Sequence, residues 1–278
     1  MIQKPHVTNI ANNEWAFIQP AAFSNEETLQ QYTVAVGMLD TNDVYAELIL
    51  KAIIKDHPYH LDAYNHLSVA FRNQEKAFES YLVAEKSYRL GRECFPKEFK
   101  IKNARLPYIN SDNRPFLRAC HIWGLELQFN EEYERAIEIF DEMLQLNPND
   151  NQGARHLKLE CLFVLKDFAA ANQLLQSYPG ESSIEFTYGK IFIAILAGDQ
   201  KSAEQLLGDA VATNPYLPAE IVKKRHTPPP GFLDEEITVG SRHEAYEYWF
   251  DYADICMQQP VIEFFESMKP VWSKKKSK

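Results

Sequence analysis

Glycine is sparse in this sequence. There are 10 in 278 residues, and no two lie closer than nine positions, as with Gly180 and Gly189. A phosphate-cradling loop, a dinucleotide-binding G-x-G-x-x-G turn and a G-x-S-x-G nucleophile elbow all need closer glycines, so each is excluded. Cysteine is scarce too. Cys94, Cys120, Cys161 and Cys256 are at least 26 positions apart, which leaves no C-x-x-C metal or redox pair and no disulfide framework legible from spacing. No apolar run approaches the roughly 18 residues a transmembrane helix requires. The N-terminus, MIQKPHVTNIANNEW, has no basic-then-apolar leader, so a cytoplasmic location is expected. Positive charge is in deficit, with 29 Lys and Arg against 39 Asp and Glu and a net charge of −10. That balance argues against a nucleic-acid binder, whose footprint is basic.

Apolar residues, by contrast, are plentiful at 45%, with 13% aromatics, enough for a packed core. They recur at helical spacing, and prolines punctuate them. Pro58, Pro96, Pro148, Pro179 and Pro215 follow amphipathic segments at intervals scattered around the 34-residue period of a helix-turn-helix repeat. The widest interval holds a polar, proline-bearing stretch, residues 97–113, that reads as a loop between two blocks. The clearest unit is PFLRACHIWGLELQFNEEYERAIEIFDEMLQLNP. Its first helix carries Trp123, Gly124 and Leu127, and its second carries Tyr133, Ala136, Ile137, Phe140, Met143 and Leu144 at i, i+3, i+4, i+7 spacing. Gly124 and Ala136 are small where two helices approach; Phe140 is large where the gap must be filled.

Gly124, Ala136, Phe140 and Pro148, in this register, resemble the tetratricopeptide (TPR) repeat. Other units fit with slippage: Leu67, Ala84, Gly91 and Pro96; Ala170, Leu174 and Pro179; Gly189, Ala203, Ala210 and Pro215. An earlier pair over residues 27–39 and 43–56 ends at Pro58 but matches the small positions poorly. The segments Asn113-Arg-Pro-Phe-Leu-Arg-Ala119, Asn147-Pro-Asn-Asp-Asn-Gln-Gly-Ala-Arg155 and Gly240-Ser-Arg-His-Glu-Ala245 are similar to bacterial TPR proteins of unassigned role. The NRPF stretch is more faintly similar to eukaryotic suppressor-of-tumorigenicity proteins. The expected fold is all-α, a right-handed TPR-like solenoid of about five helix pairs. Expected boundaries are an irregular N-terminal segment (1–23), N-terminal helix pairs (24–96), a linker loop (97–113), a core repeat block (114–215), a Pro-rich connection (216–240), capping helices (241–269) and a basic tail (270–278). Ser24-x-x-Glu27, Ser182-x-x-Glu185 and Ser241-x-x-Glu244 have capping-box form. The aromatic helix after the last of them, with Tyr246, Tyr248, Trp249 and Tyr252, reads as the end piece that covers the last apolar face.

Chemistry is harder to find. None of the eight histidines forms H-E-x-x-H, so no metal or other cofactor is expected. Cys120 adjoins His121, but consecutive helical residues diverge and Cys120 takes an inward repeat position, so no nucleophile is expected. The acidic run Glu131, Glu132, Glu134, Glu138, Asp141, Glu142 reads as a solvated helix face. The TPR resemblance implies that the first helix of each pair lines a concave groove through its second, fifth and ninth positions. In this sequence those are Asp62, Asn65 and Val69, then Arg118, His121 and Leu125, then Gln152, Arg155 and Leu159, then Phe186 and Lys190. The groove would be basic and polar although the chain is acidic, and guanidinium groups fit carboxylates bidentately. It departs from the co-chaperone carboxylate clamp, because the first pair lacks the lysine. The leading expectation is a non-catalytic adaptor that binds a protein or peptide with an acidic segment or a C-terminal carboxylate, not an enzyme. The alternatives are an enzyme or small-molecule-binding protein with a pocket around His121, Arg118 and Arg155, and a homo-oligomer formed through the C-terminal aromatic helix. Against all three stands a structural use of the arginines, paired with carboxylates such as Asp112 and Asp150.

Overall fold

The computed structural model describes residues 3–232 and 237–273; the lysine-rich end of the basic tail, from Lys274 on, lies outside the described residues. The chain divides into two compact units, Met1–Lys158 and Leu159–Lys278.

The first unit opens on a β-hairpin, which corrects the expectation of an irregular N-terminus. Strands β1 (His6–Ala11) and β2 (Glu14–Ile18) pair antiparallel, with Ala11 opposite Glu14. Asn12 and Asn13, both at positive φ (37° and 67°), form the connection. Two left-handed residues are what a two-residue hairpin turn needs, and asparagine tolerates them. Three helix pairs follow: α1 (Glu26–Gly37) with α2 (Asp43–Asp56), α3 (Leu61–Asn73) with α4 (Ala77–Arg92), and α5 (Arg114–Phe129) with α6 (Tyr133–Leu146). Helix α7 (Ala154–Val164) contains the division between the units.

The register read at the clearest repeat holds. Phe140 is fully buried, and a Cβ built on Gly124 would lie 2.4 Å from its ring. Glycine there lets α5 close on α6. Gly91 on α4 does the same for Phe116 on α5, whose ring would also lie 2.4 Å from an added Cβ. Each helix pair turns through one left-handed residue: Asp40, Glu75, Glu131, Lys166 and Gly198, at φ between 57° and 75°. Four of the five are not glycine, which is how a glycine-poor chain still makes the repeat.

The acidic run of α6 is not uniformly a solvated face. Glu142 is buried, accepting from Tyr88 (2.8 Å) and Arg92 (2.8 Å) of α4. Glu132 accepts from Tyr81 (2.7 Å). A third carboxylate, the buried Glu126 of α5, accepts from Arg72 (Nε, 3.1 Å) and from Ser80 (2.7 Å). Such pairs align successive repeats, because breaking one strands a buried charge.

Residues 97–113 are anchored rather than free. Ala104 and Leu106 are buried, the Leu106 amide donates to Leu146 of α6 (2.7 Å), and Arg105 and Trp15 of the hairpin bond through their backbones (2.8 Å). Asn113 completes the attachment. Fully buried, it accepts from the Phe17 amide (2.8 Å) and donates to the carbonyls of Trp15 (3.2 Å) and Pro107 (3.1 Å). Phe116 stacks on Phe17 at 5.5 Å between centroids. The NRPF stretch is therefore the joint between the hairpin and the helices.

In the second unit, α8 (Phe168–Ser177) precedes the pair α9 (Ile184–Leu196) and α10 (Gln200–Thr213), then α11 (Leu217–Ile221), α12 (Arg242–Asp251), α13 (Ala253–Cys256), α14 (Gln259–Ser267) and α15 (Lys269–Trp272). Tyr248 and Phe265 turn inward and meet Tyr188 and Phe192 of α9 at centroid distances of 6.2–6.4 Å. The C-terminal aromatics thus cover the last repeat. Of the three expected capping boxes, Ser241 caps α12 by accepting from the Glu244 amide (3.1 Å). The other two are corrected. Asn25, not Ser24, caps α1, and Ser182 gives way to Ser183 at the start of α9, with the Glu181 carboxylate accepting from both serine amides. In each case the N-cap residue sits one position after the one the pattern suggested, and the Ser183 side chain makes no capping hydrogen bond.

Candidate groove in the first unit

Helices α3 and α5 lie side by side, and the expected groove residues on them separate into two groups. Asn65 is fully buried and is not a ligand position. Its amide donates to Pro115 (3.0 Å) and Asp62 (3.1 Å) and accepts from Ser87 (2.6 Å). Val69, Arg118, His121 and Leu125 are half-buried and offer surface. Arg118 holds Asp62 side-on, Nε to Oδ1 at 2.8 Å and Nη2 to Oδ2 at 2.5 Å. Burial opposes its charge, but Asp62 more than offsets this and raises the guanidinium's pKa. The fork leaves Nη1 outside the pair.

Tyr32 and His66 join this cluster, and neither was singled out from the sequence. The Tyr32 hydroxyl lies 3.0 Å from Nδ1 of His66, which is also 2.8 Å from the Asp62 carbonyl. Burial, with the Asp62 charge, holds the Tyr32 hydroxyl protonated well beyond the usual range, against the pull of Arg118. The available signal was His66 four residues after Asp62, on the same helix face. Burial lowers the pKa of His121, and the charge of Asp150 only partly restores it.

The other expected positions behave differently. Arg155 donates to Asp150 (2.8 Å), whose carboxylate also accepts from the amides of Ala154 and Arg155 (2.7 and 3.0 Å), so this arginine serves the start of α7. Gln152 is half-buried, its Oε1 buried without a hydrogen-bond partner. Leu159 and Phe186 are fully buried, which removes both from any ligand-facing surface. Lys190 is half-buried and lines a cleft of about 570 Å³ in the second unit with Leu175, Ile193 and Leu206.

Cys120 is fully buried beside Glu142, and burial drives its thiol well above the usual range, which suppresses the thiolate. Among the described residues no group of three or more His, Cys, Asp or Glu is disposed to hold a metal ion, and no helix is long and apolar enough to cross a membrane.

These features define a TPR-type helical-repeat protein, with tyrosine, histidine and a paired arginine along neighbouring first helices. The model of the transcriptional repressor TCF25 family matches residues 21–259, and the chain belongs to that family. Among solved structures, the MamA RS-1 ArsTM double mutant superposes with a TM-score of 0.52 at 14% identity, over 68% of this chain and 94% of that one. A protein from Podosopora anserina, described as a kinesin light chain with nearly identical TPR-like repeats, gives 0.50 at 12% identity over 67% and 94%. Both likenesses concern the fold. No curated protein matches the sequence.

Proposed function

We propose that the protein is a non-catalytic adaptor with a regulatory role, as its family's description suggests, and that it works by holding another protein rather than nucleic acid. The observation that carries this reading is the α3–α5 wall, where Val69 and Leu125 sit half-exposed among His66, Arg118 and His121. Rigid helices presenting mixed apolar and polar side chains suit capture of an extended or helical segment. The net charge of −10 supports a protein partner over DNA or RNA.

The partner's carboxylate, if it has one, meets Nη1 of Arg118. Because Arg118 and Arg155 each already hold a carboxylate of this chain, apolar contact at Val69 and Leu125 supplies the larger share of affinity, and the charged positions orient the segment. Affinity capture with the wild type and with Leu125→Glu tests the reading. The expected result is a partner held by the first and lost from the second, with unchanged circular dichroism and capture by the wild type that weakens with salt. Equal recovery by both proteins would overturn it.

A further inference from the structure

The first helix pair leaves one apolar face open. Between α1 and α2 lies a cleft of about 430 Å³, with Val34, Tyr45, Leu48, Ile49 and Ala52 in its walls beside the amides of Gln30 and Gln31. Val34, Tyr45 and Leu48 are 39%, 47% and 61% exposed. Stacked repeats bury such a face against another helix pair, and an apolar patch left in water marks an interaction surface.

Charge is kept away from this face. The chain is 24% charged, yet no charged residue lines the cleft. Glu47 of α2 is drawn towards the turn between α3 and α4, where it accepts from Gln74 (3.1 Å) and Lys76 (2.9 Å), and it also holds Lys51 (2.5 Å). Asp43 accepts from Asn73 of α3 (2.9 Å). Charge reappears at one end of the face. Glu27 stands about two turns before Val34 on α1, and Lys55 about two turns after Leu48 on α2. The Thr28 hydroxyl lies 3.1 Å from Nε2 of His57, so the start of α1 adjoins the end of α2 and the two charges share that end. Neither has an ion-pair partner among the described residues.

We infer that two copies of this chain associate through the α1–α2 face, about a two-fold axis parallel to the helices. That axis lays α1 of each copy over α2 of the other, antiparallel, as consecutive helices of a repeat already run. It brings Glu27 of each copy to the end of the face where the other offers Lys55, which also offsets its neighbour Asp56. A chain of net charge −10 repels its own copy except through a neutral face, and this one is neutral at its centre. Apolar and aromatic residues with charge depleted are also the composition of homodimer interfaces. Glutamine amides, each both donor and acceptor, can pair with their own copies across a two-fold. The inference does not rest on the α3–α5 groove.

Sedimentation equilibrium of the full chain over a range of concentrations tests it. A mass that reaches two chains as concentration rises is expected. Leu48→Lys should raise the dissociation constant at least about tenfold, with unchanged circular dichroism because the side chain is exposed. Lys55→Glu should weaken association, and Glu27→Lys added to it should restore it by reversing the pair. Phe78→Lys, at a residue of α4 that is 71% exposed, should leave association as it was. A monomer at every concentration, association that survives Leu48→Lys, an equal loss in Phe78→Lys, or no recovery in the charge-reversed double variant would each overturn the inference.

Discussion

Phe140 and Asn113 show two ways one side chain holds this protein together. Phe140 fills the space that Gly124 leaves. Phe140→Ala should cost about 3–5 kcal/mol, as for other buried aromatics, and chemical denaturation reads this directly. Gly124→Ala should also destabilise, because the added methyl would have to displace an aromatic ring 2.4 Å away that packing holds in place. Asn113→Ala acts differently: it leaves the Phe17 amide and two carbonyls without their partner. Since an unsatisfied buried polar group costs about 1–3 kcal/mol, the hairpin should loosen while the helices persist. Faster hydrogen exchange at Phe17 with little change in far-ultraviolet circular dichroism is the expected outcome.

At the scale of elements, what was legible in the sequence followed helical periodicity. The five pairs and the Phe140 register could be read because residues three and four apart share a face, and small residues mark close approach. The hairpin was missed because neither short strand alternates: β1 buries only Val7, while β2 buries the adjacent Ala16 and Phe17; the readable signal was Asn12-Asn13 between β-branched and aromatic residues. Partners followed the same rule. Asp150 was legible for Arg155 because they lie five residues apart, whereas Asp62, 56 residues from Arg118, depends on α3 meeting α5. The left-handed turns suggest a further experiment. Glycine has no steric cost at positive φ, so Glu131→Gly and Lys166→Gly should each stabilise by up to about 1 kcal/mol, offset in part by the entropy glycine adds to the unfolded chain. A melting temperature that falls in both would show that the side chains contribute more than the strain costs.

Across the whole molecule, the two units should answer acid in opposite directions. In the first, burial lowers His60, against the charge of Asp62, and lowers His121. His60 also caps α3, its Nδ1 accepting from the Ala63 amide (3.2 Å), which a protonated ring cannot do. A lowered folded pKa means that this stability is present above the ordinary histidine value, about 6.5, and is lost as pH falls below it. In the second unit, Asp251 is raised to about 6 by burial and by Glu247 and Glu185. Its contribution is present below the ordinary aspartate value and lost as pH rises through about 6, so the second unit gains as pH falls. Hydrogen exchange between pH 7.5 and 5.5 should show faster opening in α3 and slower opening in α12, after correction for the intrinsic rate. The same sign in both units would contradict this assignment.

The Asn113 joint also bears on the order of events during synthesis. The hairpin leaves the ribosome before the helices it docks on, yet it bonds to a side chain 96 positions later and stacks on a ring three residues beyond that. A lone two-stranded hairpin is marginal in water, and contacts of such sequence separation form slowly. The hairpin, although made before the helices of its unit, should therefore be among the last of that unit to become protected. Nascent chains stalled before Phe116 emerges should remain open to protease at Asn12 and Asn13, and longer ones should not.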